Sequence, residues 1–161
     1  MDRELIEQYA AGAEKLSLAI RGLTAQDLRC PTDPKWNAGK WSINQVVNHV
    51  ADCEQVYADR MKWAISEDNP PLPGFDQDKW AAALHYDDQS AEDAAKLVEL
   101  TRKQMSTILR KLPDNVLNRT GHHSERGPMK VIDLLQYMVT HLDHHIQFIH
   151  AKRAAMGKEM W

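Results

Sequence analysis

Eight histidines punctuate the chain, and two of them, His141 and His145, stand one helical turn apart in the run HLDHHIQFIH. An i, i+4 spacing places both imidazoles on one helix face. That face also carries Leu134 and Met138, so it should look into a bundle interior. Two imidazoles hold a cation loosely, and a third donor is needed. His49 is the best candidate, because it sits among Val46, Val50 and Cys53 on another apolar stripe. Burying one imidazole among aliphatic side chains is costly without a partner, whereas three converging on one divalent metal satisfy one another. The alternative for any single histidine is a core residue or a solvated helix face.

Other metal templates fit worse. A zincin HExxH motif needs Glu directly after His141, where Leu142 stands. A di-iron bundle needs Glu-x-x-His pairs, but Glu54 is followed three residues on by Tyr57 and Glu99 by Arg102. An open three-histidine site can polarise an oxygen or hold a small thiol as its reactive thiolate. Around it, His144, Glu54 and Gln147 are candidates to orient ligands or move protons. Cys53 could reach the metal but reads first as a small buried filler, Trp41 and Trp63 as core or interface anchors, and His122 and His123 as loop residues, surface by default but able to line the site mouth. His85 and His150 fall outside the ligand set.

The elements that must position these groups are four helical segments. Periodic apolar residues predict helices over Asp2 to Arg21, Ser42 to Ser66, Ser90 to Leu112 and Met129 to Met156. Gly12 weakens the first and Gly22 ends it. Ser42 with Gln45 is a capping-box signature. Ser90, followed by Glu92 and Asp93, is a good start for the third, whose apolar positions read as Leu97, Leu100, Met105, Ile108 and Leu112. A short helix fits Asp76 to His85. The long connection from Glu67 to Gln89 permits a crossover path in place of simple hairpins.

Composition agrees with one ordinary globular domain over residues 1–161: 43% hydrophobic, 27% charged and a formal net charge of −3. Nothing supplies the basic field of a nucleic-acid binder, and no apolar run reaches membrane-spanning length. The opening MDRELIEQYA is charged and lacks a secretory apolar stretch. With two cysteines and no CxxC pair, the expected location is the cytoplasm.

The segment WSINQVVNHVADCE (41–54) resembles the second helix of the DinB/YfiT-like superfamily, and HLDHHIQFI (141–149) resembles its fourth-helix histidine pattern, with Gln147 one residue early. PPLPGFDQDKWAA and GHHSERGPMKVIDLL look like its connecting segments. The resemblance implies an all-α four-helix bundle with an up-down-down-up path. It implies a divalent metal, zinc or nickel, on His49, His141 and His145, and a tendency to form homodimers. It also implies thiol-dependent transferase or isomerase chemistry with low-molecular-weight thiols, so the expected function is a metal-dependent transferase moving a small thiol onto a small-molecule substrate, or a related hydrolase. A metal- or small-molecule-binding bundle without turnover is the alternative.

Overall fold

The computed structural model of the chain describes residues 2–30 and 32–160. Its longest elements start where polar side chains can cap them. The Ser42 hydroxyl accepts from the Gln45 amide while the Gln45 side chain accepts from the Ser42 amide, which opens α4 (Ile43–Ser66). Before it come α1 (Asp2–Ala11), α2 (Lys15–Ile20) and α3 (Ala25–Leu28). After it comes α5 (Gln77–Ala83), whose first amides bond the Asp76 carboxylate. Ser90 caps α6 (Ala91–Lys111), with Glu92 and Asp93 in the first turn, and α7 (Val131–Ala155) closes the bundle.

Three differences from the sequence expectation have physical causes. The first limb is two helices because Gly12 sits where Arg102 crosses. A Cβ there would overlap the Arg102 guanidinium and lie 3.1 Å from Leu142. The last helix starts at Val131 because Gly127–Lys130 is a strand. That strand, β3, pairs antiparallel with β2 (Thr120–His123), and β2 pairs in parallel with β1 (Pro71–Leu72). Three residues link β2 to β3, followed by Gly127 at φ +72, the left-handed conformation that short hairpin loops require. On α6, Leu97 and Leu100 turn outward, and Ala91, Ala94, Ala95 and Val98 face the core instead.

Both limbs of the first segment pack on α6 and α7, and so does α4. The apolar interior divides into two clusters. One gathers Ile6, Met61, Met105, Leu135 and Met138, and the other Leu16, Val47, Val50, Val98 and Ile149. Along every long element the break falls at mid-height: after Tyr9 in the first limb, between Ala51 and Cys53 on α4, between Val98 and Met105 on α6, and between Met138 and Leu142 on α7. That level is a polar waist. It holds Glu54 and Arg102, both buried, and it also holds the three predicted histidines. No described helix is long and apolar enough to cross a membrane.

Candidate metal centre

His49 projects from the second turn of α4, and His141 and His145 from successive turns of α7. The His141 Nε2 atom lies 3.2 Å from His49 Nε2 and 3.1 Å from His145 Nε2. Ring centroids are 5.2 Å apart for His49 and His141, 4.8 Å for His49 and His145, and 4.5 Å for His141 and His145. Donors on a tetrahedral zinc ion, with bonds of about 2.0–2.1 Å, stand about 3.3–3.4 Å from one another. His141 Nε2 therefore stands at about that spacing from each of the other two nitrogens, and the donor atoms of His49, Cys53 and His141 all lie within 4.8 Å of one another.

Hydrogen bonding within the trio cannot account for that convergence. A neutral imidazole has one N–H and one bare nitrogen. His141 Nε2 faces two other Nε2 atoms and has at most one proton to give. The Nδ1 atoms of His141 and His145 are buried with no partner among the described residues. Protonation is no remedy either. Burial pulls His49 down to about 4 against the opposing charge of Asp78. Burial, then the neighbouring His145 and His49, pulls His141 down to about 2. Burial, then His49 and His144, pulls His145 down to about 3. All three are neutral near pH 7, with lone pairs to offer and no positive charge among them.

Aromatic neighbours hold the rings. Trp41 tilts against His49 at 4.8 Å, and Tyr137 stacks on His141 at 5.4 Å. His141 and His145 form part of the wall of a cleft of about 320 Å³, which Trp41, Tyr137, His144 and Phe148 also line. His49 and His141 also border a second cavity of about 130 Å³, with Cys53 beside them. The Cys53 sulfur lies 3.6 Å from His49 Nε2, and His49, Cys53 and His141 group as possible ligands of one ion. Burial pushes the Cys53 thiol far above its ordinary range, with Asp52 and Glu54 adding to the shift. Without a cation it is a neutral thiol.

The remaining predicted residues scatter. His144 is exposed at the cleft, its ring 5.3 Å from His145 and 4.5 Å from Phe148. Glu54 lies on the waist, but its oxygens take the Arg102 Nε–H at 2.9 Å and the Tyr9 hydroxyl, not an imidazole. Gln147 is exposed. His122 is exposed as expected, whereas His123, whose default was the surface, is 3% exposed, lines the smaller cavity and accepts at Nδ1 from the Glu125 amide at 3.1 Å. Trp63, read as an anchor, is 45% exposed. The sequence reading missed Tyr137, Arg60 and Arg126, which border these cavities. Tyr137 sits one turn before His141, the signal that could have found it.

A family model of the DinB superfamily matches residues 8–149. A relative from Oceanobacillus iheyensis, provisionally named a metal-dependent hydrolase, is 30% identical over 117 residues, which span 73% of this chain and 67% of the relative. A second protein of that organism, named likewise, is 25% identical over 146 residues, 91% of this chain and 82% of its own length. Among solved structures, YfiT from Bacillus subtilis superposes with a TM-score of 0.87 at 24% identity, over 97% of this chain and 87% of that one. YfiT is described as a probable metal-dependent hydrolase with an unusual four-helix bundle topology. At that identity the likeness speaks for the fold.

Proposed function

The chain belongs to the DinB superfamily, and from that premise we propose that it is a metal-dependent enzyme acting on a small molecule, with hydrolysis as its reaction class. The observation that carries the reading is the convergence of three neutral imidazole nitrogens, 3.1 and 3.2 Å apart, beside an open cleft. His49, His141 and His145 would hold the ion. Imidazole donors suit zinc or nickel. Such an ion supplies Lewis-acid polarisation and lowers the pKa of a water or thiol that reaches it.

The chain's own residues supply placement. Trp41 and Tyr137 press on His49 and His141 and fix their ring orientations. His144, the cleft imidazole outside the trio, is placed to take or give a proton at the substrate. Phe148, stacked edge-on against His144, gives the cleft an apolar wall.

One observation favours thiol transfer as a second reading. No carboxylate lines the larger cleft, so a water nucleophile has only His144 as its base. A small thiol, more acidic than water, asks less of the protein. The assay that decides incubates zinc- or nickel-loaded protein with simple esters and amides, and separately with low-molecular-weight thiols and electrophiles. Turnover that His145→Ala abolishes and Cys53→Ser retains is the expected result. Conversion at the buffer rate with both metals and every substrate would leave a binding protein without turnover. Two copies of the chain form the proposed working unit, which light scattering tests.

A further inference from the structure

The smaller cavity carries chemistry that the histidine trio does not use. His49, Cys53 and His141 form one side of it, and Arg60, Arg126 and Tyr57 another. Arg60 projects from α4 and is 2% exposed; its guanidinium donates to the Pro73 carbonyl and is supported by the Tyr57 hydroxyl, and its Nε–H has no partner among the described residues. The arginines that form ion pairs among those residues are Arg3, Arg102, Arg110 and Arg119. Arg60 is thus a buried cation that no carboxylate neutralises. Such a group is expensive to bury unless a counter-charge arrives from outside.

The surroundings fit an incoming anion. Arg60 lies 4.6 Å over the Tyr57 ring and Arg126 4.8 Å over the Tyr137 ring, and these two rings stack at 4.7 Å. The tyrosines thus tie both guanidiniums into one assembly, and Tyr137 continues it by stacking on His141. Burial pushes the Tyr57 hydroxyl up to about 12, so it stays protonated and can donate. Glu125, exposed at the cavity rim, is the one carboxylate among the lining residues, set against two guanidiniums. A volume of about 130 Å³ suits a carboxylate or phosphate group and little more.

We propose that Arg60 and Arg126 form an oxyanion subsite, which seats the carboxylate or phosphate group of the substrate on the far side of the histidine centre from the larger cleft. A guanidinium offers the paired N–H donors that both groups accept. The role as a substrate subsite rests on the proposed metal-dependent reaction, but anion binding does not, and the test separates them.

Protein freed of metal with a chelator and then dialysed is titrated calorimetrically with inorganic phosphate and, separately, with acetate. Saturable binding at one site is expected for at least one of them. Phosphate alone points to a phosphoryl substrate and acetate alone to a carboxylate. Arg126→Gln, at an exposed position that should not disturb folding, should weaken it by about tenfold or more, the usual scale for losing one charge-assisted contact. Arg60→Met should do the same if it folds, and His145→Ala should bind as wild type does. Three outcomes overturn the proposal: no saturable binding of either anion, Arg126→Gln within about twofold of wild type, or loss of binding in His145→Ala. A chain that binds no metal but still binds the anion through Arg126 would sink the enzyme reading and leave the subsite standing.

Discussion

Two polar clusters share the waist of this bundle and meet the cost of burial in opposite ways. Glu54, Arg102 and Tyr9 close on themselves. Arg102 gives Nε–H to Glu54 at 2.9 Å, one Nη to the Met138 carbonyl at 2.7 Å and the other to the Tyr9 carbonyl at 3.3 Å, while the Tyr9 hydroxyl donates to Glu54. Charge balances charge, and one guanidinium on α6 ties α1, α4 and α7 to its own helix. The trio of His49, His141 and His145 has three acceptors facing each other, two orphaned Nδ1 atoms and a cleft beside it. The first cluster finds its counter-charge within the chain. The second carries no charge to balance; its converging nitrogens beside an open cleft make it the cluster proposed to take a cation. A buried polar group does not announce its role by burial alone; its state of satisfaction does.

The comparison breaks most visibly if the closed cluster proves dispensable. Glu54→Ala leaves the Arg102 guanidinium buried and unpaired, and should cost about 3–5 kcal/mol of unfolding free energy in urea. A loss below about 1 kcal/mol would show that the waist tolerates an open charge. The open cluster should behave differently. Wild type with metal at about a hundred times its dissociation constant should gain about 2.7 kcal/mol over the chelated protein, and His145→Ala should gain nothing. Equal gains in both proteins would place the stabilising ion elsewhere.

Acid sharpens the contrast in a second way. The folded pKa values of the three histidines, about 4, 2 and 3, lie below their ordinary 6.5. The unfolded chain therefore takes up protons that the fold refuses as pH drops below 6.5, so the stability present above that value is lost downward towards those values. In chelated protein the loss should be about 1 kcal/mol per pH unit for each imidazole that stays unprotonated. A flat profile from pH 7 to 5 would mean that the trio is solvated. The smallest effect belongs to Cys53. Cys53→Ser should keep full metal content, because the trio supplies the donors, and its stability loss should stay near about 1 kcal/mol. Metal loss in that variant would make the thiol a fourth ligand.

Most of this architecture is legible locally. The Ser42–Gln45 and Ser90 caps and the Asp76 start of α5 act within a few residues, so the helices from Ser42, Ser90 and Asp76 can be read directly. The i, i+4 pair His141 and His145 is likewise a local signal. The rest depends on contacts distant in sequence. Glu54 reads as a candidate to orient a ligand until Arg102, 48 residues on, is placed against it. Gly12 looks like a weak spot until the same arginine needs the space. His123 reads as loop surface, because the strand that buries it pairs with Pro71–Leu72, far back in the chain. Arg60 goes unnoticed in the sequence for the same reason: its acceptor, Pro73, lies beyond the end of its own helix.

The central claim is that His49, His141 and His145 hold one divalent ion between them, and elemental analysis of purified protein tests it most directly. The account predicts about one zinc or nickel ion per chain in wild type, loss of that ion in His49→Ala, His141→Ala and His145→Ala while each stays helical by circular dichroism, and full occupancy in His85→Ala and His150→Ala. Full metal in any one of the first three variants, or a wild-type chain that stays empty after loading with either metal, would contradict it.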